Sequence, residues 1–431
     1  MSFLRRQAIV AALTANTLRP PRGQRSGLAA FPAGWLFGEM APQMLALTAV
    51  DAVSHLTKGR RAGWKAKAGL VLAGASALGL TRVVRQSHRA KDDFEEALFE
   101  GLGVDYVEQL DEVPSPADLA TPWRRLVRPF NFAHDGVRVI RNLPYSEAGR
   151  RGHLDIYLPA GEDAIKDAPV LLQVHGGAWT LGQKEHQGRP LMNQMAAKGW
   201  VCVAINYRLA PRDPWPAHVV DVKRAIAWIK DNITDYGGDP DYVVITGGSA
   251  GGHLTALAAL TPGDPAFQPG FEDADTSVQA AVPFYGVYDF AGSTGLGNAI
   301  GMRDGFLSPR VMQTTWKDAP EVYEAASPIL RVTPDAPDFF VIHGERDSLV
   351  SVDQARLFVA ELRRTSRKSV VYAEVPGAQH AFDVFHSIRS AHAVRAVDRY
   401  LAWHWSTWRH GLEADSGVEP EEISQLDDAA G

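Results

Sequence analysis

One serine of the chain has neighbours that suit nucleophilic chemistry. Ser249 is the central residue of Gly-Gly-Ser-Ala-Gly at positions 247–251, between an apolar run at 242–246 and a segment of helix-forming composition at 252–258. Glycine at the first and last positions of this motif removes Cβ atoms that would clash in a sharp turn from strand to helix. Such a turn lifts a side chain above the end of a strand, so the motif predicts an exposed nucleophile at Ser249.

An acid and a base that could activate this serine follow it in the chain. Asp347 comes shortly after a strand-like run at 339–343, and His380 comes shortly after a strand-like run at 370–375. A histidine takes the proton of a serine hydroxyl as it attacks a carbonyl carbon, and a carboxylate fixes the imidazole tautomer and stabilises its cation. Asp353 is the alternative acid, although it lies within a predicted helix.

A glycine-rich turn could stabilise the negative charge that develops on the carbonyl oxygen during acyl transfer. The sequence His-Gly-Gly-Ala-Trp at 175–179 directly follows a buried-strand pattern at 170–174. Such a turn can aim consecutive backbone N–H groups at the oxyanion of a tetrahedral intermediate, where one donor is worth about 3–4 kcal/mol. The N–H of Ala250, next to the predicted nucleophile, is the expected further donor.

These motifs together resemble those of carboxylesterases and lipases in the hormone-sensitive-lipase group of α/β-hydrolases. The chain order of serine, aspartate and histidine is the order found in that fold. Two connecting segments resemble the group as well, Asn-Tyr-Arg-Leu-Ala-Pro at 206–211 and Tyr-Gly-Gly-Asp-Pro at 236–240. The resemblance covers about residues 135–408. It implies hydrolysis of carboxylic esters through an acyl-enzyme.

The resemblance also implies the roles of six residues. They are Ser249 as the nucleophile, His380 as the base, Asp347 as the acid, and Gly177, Ala178 and the Ala250 N–H as the oxyanion hole. Two positions depart from the family pattern: Ala178 replaces the last glycine of its His-Gly-Gly-Gly motif, and Gly248 replaces the acidic residue before the serine. A backbone donor survives the change to alanine where φ is negative, so we expect Ala178 to narrow the pocket and keep its N–H.

The same motifs are compatible with three other functions. The machinery of a serine hydrolase can also cleave an amide or peptide bond, and the turn at 175–179 also resembles those of formamidases and prenylcysteine methylesterases. A catalytically silent binding module is a further alternative, because fold alone does not determine function. The presence of all three triad residue types favours an active esterase.

No pattern in the sequence indicates a metal ion or a cofactor. No His or Cys cluster has the spacing of metal ligands, and no Gly-x-Gly-x-x-Gly motif follows a strand pattern. The remaining polar residues near the motifs have structural interpretations: His175 braces its turn, His343 ends a buried strand, His253 lies on the helix after the serine, and Asp383 and His386 are packing or surface residues.

The order of the predicted elements indicates an α/β fold. Strand-like runs alternate with helical patterns, which predicts a mainly parallel central sheet with helices on both faces, as in α/β-hydrolases. The connection at 286–337 is too long for an ordinary crossover, so we expect it to form part of a lid over the acyl pocket. The strand-like runs lie at 138–142, 153–158, 170–174, 201–206, 242–246, 280–285, 339–343 and 370–375.

Composition and charge divide the chain into four regions. Residues 1–91 contain 14 Lys and Arg but two acidic residues, whereas residues 411–431 contain seven acidic residues and no basic one. We predict a basic apolar helical segment at 1–91, a connector at 92–134, a catalytic domain at 135–410 and a disordered acidic tail at 411–431. The rest of the chain is acidic, so we expect a small-molecule or lipid ester as the partner and no nucleic acid.

Two apolar runs in the basic N-terminal region predict association with a membrane. Residues 27–50 contain one charged residue, Glu39, and residues 68–80 contain none. Together they predict a helical hairpin in the cell membrane, within residues 27–84, with basic flanks that suit an anionic bilayer surface. The alternative is a cytoplasmic protein in which both runs form a helical cap over the active site. A cleaved signal peptide built on the short apolar run 8–13 is the third interpretation.

Overall fold

The centre of the molecule is one sheet of eight strands. The computed structural model describes residues 1–21, 24–57, 63–111, 120–161 and 165–416. Within these residues the strands are β1 (Val137–Pro144), β2 (His153–Pro159), β3 (Ala168–Val174), β4 (Val201–Ile205), β5 (Gly238–Gly248), β6 (Ala280–Phe284), β7 (Asp338–Gly344) and β8 (Val370–Val375). Their order across the sheet is β1-β2-β4-β3-β5-β6-β7-β8.

Most of this sheet is parallel. Strands β3 to β8 run parallel to one another, while β2 is antiparallel to both of its neighbours, β1 and β4. Every residue of β3, β4 and β6 is buried. Parallel sheets are covered on both faces, which is why these strands are continuous apolar runs in the sequence. The eight predicted strands are all present, and the predicted α/β-hydrolase fold is confirmed.

Helices cover both faces of the sheet. In the described residues they are α1 (Phe3–Leu18), α2 (Gln24–Glu39), α3 (Ala41–Thr57), α4 (Trp64–Leu102), α5 (Trp123–Val127), α6 (Arg189–Ala197), α7 (Ala217–Asn232), α8 (Ala250–Leu260), α9 (Gly297–Met302), α10 (Pro320–Ala325), α11 (Val352–Thr365) and α12 (Ile388–Ser416). On one face α7 and α8 bury Ile226 and Leu254. On the other face α4, α6 and α12 bury Phe94, Met192 and Leu401.

The segments predicted to carry the chemistry all follow parallel strands. The turn at 175–179 follows β3, Ser249 follows β5, Asp347 follows β7 and His380 follows β8. The carboxyl ends of parallel strands meet at the same edge of a sheet, where ligands bind in open α/β folds. The topology therefore brings these four segments to one edge.

The apolar run at 27–50, one arm of the predicted membrane hairpin, contains two helices. Residues 27–50 do not form one continuous helix, because α2 ends at Glu39 and α3 begins at Ala41. The buried carboxylate of Glu39 accepts a hydrogen bond of 2.9 Å from the Arg389 guanidinium on α12. A carboxylate is costly to bury unless it is paired, and α2 meets this requirement by packing on α12.

Helix α4 is longer than the apolar run that predicted it. It contains residues 68–80 and continues past position 91, where the connector was expected to begin. Its second half packs on the sheet, since a Cβ added to Gly101 would lie 2.6 Å from Val371 Cγ2 in β8. Among the described residues, α4 alone has the length and apolar composition to cross a membrane.

The structure describes the first residues of the predicted acidic tail, and the predicted lid contains several short helices. Helix α12 continues to Ser416, and residues 417–431 of the predicted acidic tail lie outside the described residues. The predicted lid at 286–337 contains α9, α10 and a π-helix at Arg303–Met312. The N–H of Trp215 donates to the carbonyl of Val311 at 2.9 Å, which ties the π-helix to the segment before α7.

Candidate active site

Ser249 lies at a sharp turn between β5 and α8. Its backbone has φ 60° and ψ −120°, a conformation that L-residues rarely adopt. Added Cβ atoms at Gly247 and Gly251 would lie 2.5 and 2.1 Å from the carbonyl oxygen of Val174. The two glycines are therefore required by the close approach of β3, as the sequence predicted, and the strained serine is the feature expected of a nucleophile elbow.

Asp347 and His380 lie in direct contact. His380 Nδ1 is 2.6 Å from Asp347 Oδ2, and the Asp347 side chain is fully buried. Burial alone would raise the pKa of Asp347, but the imidazoles of His380 and His343 hold it well below its usual range. The N–H groups of Leu349 and Val350 donate to Oδ1 at 2.8 and 2.9 Å. Asp347 is therefore an oriented carboxylate that stays ionised at neutral pH.

A second imidazole contacts the same carboxylate. His343 Nε2 is 3.2 Å from Asp347 Oδ2 and 3.1 Å from the carbonyl oxygen of Val350. A carbonyl oxygen can only accept, so Nε2 of His343 carries the proton. Sequence analysis placed His343 at the end of a strand and missed this contact. The four-residue spacing between His343 and Asp347, across the turn that follows β7, could have indicated this contact.

The aromatic ring of Tyr285 links the serine turn to the histidine. The ring centroids of Tyr285 and His380 are 4.6 Å apart, and a Cβ added to Gly248 would lie 2.6 Å from Tyr285 Oη. The space that an acidic side chain at 248 would occupy is thus filled by Tyr285, whose hydroxyl donates to the half-buried carboxylate of Asp383. The departure at Gly248 has this steric explanation, which the sequence did not indicate.

The turn at 175–179 lies against the serine. A Cβ added to Gly176 would lie 3.2 Å from Ser249 Cβ. In the part of the chain that the structure describes, the N–H groups of Gly177, Ala178 and Ala250 donate to no acceptor. Free N–H groups beside a nucleophile can receive an oxyanion.

The negative φ expected at Ala178 is wrong. Gly177, Ala178 and Trp179 have φ of 125°, 51° and 57°, so three consecutive residues of the turn have positive φ. An alanine in this region costs about 1–2 kcal/mol. The turn keeps the conformation because Trp179 is buried, its Nε1 donates to His253 Nδ1 at 3.2 Å and its carbonyl accepts from Ala210 N at 2.9 Å.

The other predicted histidines have structural positions. Burial lowers the pKa of His175 to about 4 and that of His253 to about 3, so both are neutral at pH 7. His175 Nδ1 lies 2.7 Å from the carbonyl of Gly176 and braces the turn. His253 Nε2 bonds the carbonyl of Ala326 at 2.8 Å, which leaves Nδ1 free to accept from Trp179.

The alternative acid and the residues that flank the base lie elsewhere. Asp353 is on α11, where its carboxylate pairs with Arg356 at 2.9 Å rather than with a histidine. Asp383 accepts from the hydroxyl of Tyr285, and His386 packs on the ring of Phe132 at 5.6 Å between centroids. Among the described residues, no group of three His, Cys, Asp or Glu side chains could hold a metal ion.

Helix α2 lies directly on the loop that carries His380. The ring of Phe31 contacts the imidazole edge to face, with centroids 5.9 Å apart, and Trp35 Nε1 donates to the carbonyl of Ala381 at 2.7 Å. Ser348 Oγ donates to the carbonyl of Gly27 at 3.3 Å. The N-terminal region therefore contacts the loops that carry His380 and Asp347, as the alternative prediction of a helical cap requires.

Comparisons with known proteins identify the family. The BD-FAE family profile matches residues 154–362. The probable carboxylic ester hydrolase LipM of Mycobacterium tuberculosis is 46% identical over 430 residues, which cover 95% of each chain. The chain belongs to the carboxylic ester hydrolases of the hormone-sensitive-lipase group. The esterase LipQ of the same organism is 52% identical over 260 residues, 60% of this chain and 61% of its own.

The solved structures agree with this family. A thermophilic esterase from Thermogutta terrifontis, solved with butyrate bound, is 25% identical and has a TM-score of 0.51. The match covers 62% of this chain and 93% of that esterase. The protein is a carboxylic ester hydrolase with the α/β-hydrolase fold.

Proposed function

We propose that Ser249, His380 and Asp347 form the triad with which the protein hydrolyses carboxylic esters. The observation that carries this proposal is the 2.6 Å contact between His380 Nδ1 and the buried Asp347 carboxylate, beside a serine in the strained conformation of an elbow. An ionised Asp347 fixes the imidazole proton on Nδ1. The other ring nitrogen, Nε2, is then the base that accepts the proton of the serine hydroxyl.

The proposed reaction has two symmetrical halves. Ser249 Oγ attacks the ester carbonyl carbon as its proton passes to His380 Nε2, and the carbonyl electron pair moves onto oxygen. The N–H groups of Gly177, Ala178 and Ala250 stabilise this oxyanion. The bond to the alkoxy oxygen then breaks as Nε2 returns the proton to the leaving alcohol. Water repeats the sequence on the acyl-enzyme, which releases the acid and restores the serine.

Covalent labelling and kinetics together test the triad. A fluorophosphonate probe should label the full-length protein once, at Ser249, and Ser249→Ala should abolish both labelling and ester hydrolysis. The double variant Ser249→Ala/His380→Ala should be no slower than either single variant, because the members of a triad act as a unit. A double variant far slower than both single variants would overturn the assignment.

A substrate panel tests the bond that is cleaved. We expect turnover of aryl and alkyl esters of short and medium acids, unaffected by EDTA, because the proposed steps need no metal. Isoprenylcysteine methyl ester, formamides and peptides complete the panel. Hydrolysis confined to formamides or peptides would replace the ester assignment. A folded protein that hydrolyses nothing and takes no label would be a binding module.

Helix α2 forms a wall of the proposed substrate pocket. The contacts of Phe31 with His380 and of Trp35 with the carbonyl of Ala381 support this role. Phe31→Ala should widen the space beside the base and raise the KM for short acyl esters more than it changes kcat. Leu47→Ala, on the exposed surface of α3, is the matched control. Equal kinetics for the two variants across acyl lengths would remove α2 from the pocket.

The outer face of the N-terminal helices attaches the protein to the cell membrane without crossing it. Exposed apolar side chains on two helices support this proposal, together with the basic composition of residues 1–91. They are Leu47, Val50 and Val53 on α3 and Trp64, Val71 and Leu78 on α4, each 57–76% exposed. Val71 and Leu78 are seven residues apart and so share a side of α4.

Fractionation distinguishes surface attachment from a spanning hairpin. A protein bound through an apolar face should sediment with membranes in high salt and be released by alkaline carbonate or detergent. Retention after the carbonate wash would indicate a spanning α4. Full-length protein in the soluble fraction without salt or detergent would make the N-terminal region a cap alone.

A further inference from the structure

One cavity of the described residues lies away from the proposed triad. It has a volume of about 450 Å³ and lies between the segment that precedes β1 and the loop that leads into α12. Its polar lining consists mainly of cationic or hydrogen-bonding side chains: Arg124, Arg125, Arg128, His134, Asn193 and His386. No carboxylate lines it.

The three arginines of this cavity have no acidic partner in the described part of the chain. None of Arg124, Arg125 and Arg128 forms an ion pair with a described carboxylate. By contrast, Arg208, Arg331 and Arg389 each pair with a carboxylate at 2.7–2.9 Å. Like charges held together repel, and each unpaired guanidinium keeps its hydrogen-bonding capacity free. An anion bound between them would relieve this repulsion.

The surroundings of the arginines add to their charge. A fourth guanidinium, that of Arg189, lies over the ring of Phe132, which forms one wall, at 4.6 Å from its centroid. Burial and the neighbouring Arg125 lower the pKa of His386 to about 4 and also lower that of His134. Both imidazoles are therefore neutral at pH 7, and because His134 Nδ1 accepts from the N–H of Gly136 at 3.2 Å, its Nε2 carries a proton. The chemistry of the cavity matches a phosphate group, which guanidinium groups bind in bidentate fashion.

Exposed apolar side chains surround the arginines. Trp123, Val127 and Phe130 are 54%, 76% and 56% exposed. Aromatic and aliphatic side chains that alternate with arginine are typical of segments at the boundary between lipid headgroups and acyl chains. A site for a freely soluble phosphate ester would have no need of this apolar rim.

The rim is continuous with the apolar face of the N-terminal helices. Gln43 Nε2 on α3 donates to the carbonyl of Leu126 at 2.7 Å, at the centre of the arginine segment. Leu47 and Val50 follow Gln43 by four and seven residues, so they lie on the same side of α3, and both are exposed. The cationic cavity and the apolar stripe of α3 therefore meet at one surface.

We propose that this cavity binds the phosphate group of an anionic phospholipid and holds the protein on the membrane surface. The proposal deepens the membrane attachment proposed above and is independent of the triad. Phe130 contacts Phe385 at 4.9 Å, and Phe385 contacts Trp35 of α2 at 5.4 Å, between ring centroids. A lipid bound at the cavity would thus place the helix that covers His380 next to the bilayer, from which an apolar ester could enter.

Vesicle flotation of the full-length protein tests the site. Vesicles of phosphatidylcholine alone are compared with vesicles that also contain phosphatidylglycerol. The variant Arg124→Gln/Arg125→Gln/Arg128→Gln should bind the anionic vesicles about tenfold to hundredfold more weakly than the wild type, given about 1 kcal/mol per basic residue near the surface. The control Arg138→Gln/Arg363→Gln/Lys368→Gln removes the same charge from exposed positions elsewhere and should bind as the wild type does.

Three results would overturn the proposal. Equal loss in the cavity variant and the control would show a dependence on net charge alone. Equal binding of both vesicle types by the wild type would show that the headgroup charge is not recognised. Binding of glycerol phosphate in solution that the cavity variant loses, without any preference for anionic vesicles, would make this a site for a soluble phosphate ester.

Hydrolysis of a short, water-soluble ester is measured on the same samples. It should be unchanged in the cavity variant and the control, since neither set of residues touches the triad. Melting temperatures within a few degrees of the wild type show that the variants are folded. Loss of hydrolysis upon Ser249→Ala with vesicle binding retained would keep the two proposals separate, so either can fail alone.

Discussion

Asp347 is held between two imidazoles, and only one of them belongs to the predicted triad. His380 lies 2.6 Å from Oδ2 and His343 lies 3.2 Å from the same oxygen, while two backbone N–H groups bond to Oδ1. These four contacts leave the carboxylate little freedom to rotate. It also stabilises the ionised form, which is the form that supports an imidazolium on His380 during acylation.

A comparison of two aspartates tests this arrangement at the residue scale. Asp347→Asn should lower kcat by about 10⁴, because an amide can bond Nδ1 only in the wrong tautomer. Asp353→Asn should change kcat little, since Asp353 pairs with Arg356 on the outside of α11. Steady-state kinetics with a soluble aryl ester measure both. Similar losses in the two variants would exclude Asp347 as the acid.

At the scale of elements, one buried ion pair fastens α2 to α12. The side chains of Glu39 and Arg389 are 2% and 0% exposed, and Ser387 Oγ also donates to Glu39 at 2.7 Å. Arg389 Nε in addition donates to the carbonyl of Pro376, in the loop after β8. The pair therefore joins α2, α12 and the loop that carries His380.

Breaking this pair should cost more than breaking one on the surface. Glu39→Gln leaves the Arg389 charge buried and uncompensated, so we expect a loss of about 3–5 kcal/mol in the free energy of unfolding. Asp51→Asn removes the acidic partner of Arg6 on the exposed side of the N-terminal helices, where the expected loss is about 0–1 kcal/mol. Urea titrations compare the two. Equal losses would mean that α2 does not depend on this contact.

At the scale of the whole molecule, four buried histidines couple stability to pH. Burial lowers the pKa of His175, His218 and His392 to about 4 and that of His253 to about 3, from an ordinary value of 6.5. The unfolded chain therefore binds protons that the folded chain does not. Their contribution to stability is complete above the unfolded pKa and is lost as the pH falls toward the folded values.

We expect the free energy of unfolding to fall as the pH is lowered from about 7.5 to about 5. His392 lies on α12 away from the catalytic residues, and its buried Nε2 has no partner in the described residues. His392→Phe should reduce the pH dependence by about 1–2 kcal/mol over this range. Urea titrations at several pH values measure it. An unchanged slope in the variant would mean that His392 titrates normally in the folded protein.

The sequence by itself determined the sheet and the positions of the chemical groups along it. Strand periodicity and glycine placement predicted all eight strands, because each depends on residues that are close in the chain. The same local patterns placed Asp347 and His380 after neighbouring parallel strands, where the structure brings them into contact. The roles of these two residues and of Ser249 remain predictions.

Only the tertiary structure decided how distant segments fill the space around the site. The ring of Tyr285 occupies the position beside Gly248, and burial of Trp179 holds Ala178 at a positive φ. The apolar run 27–50 divides into two helices, and Glu39 at the end of the first finds a buried partner 350 positions later in the chain. Hydrophobicity along a sequence cannot distinguish such a helix from one in lipid, because both bury the same side chains and differ only in what covers them.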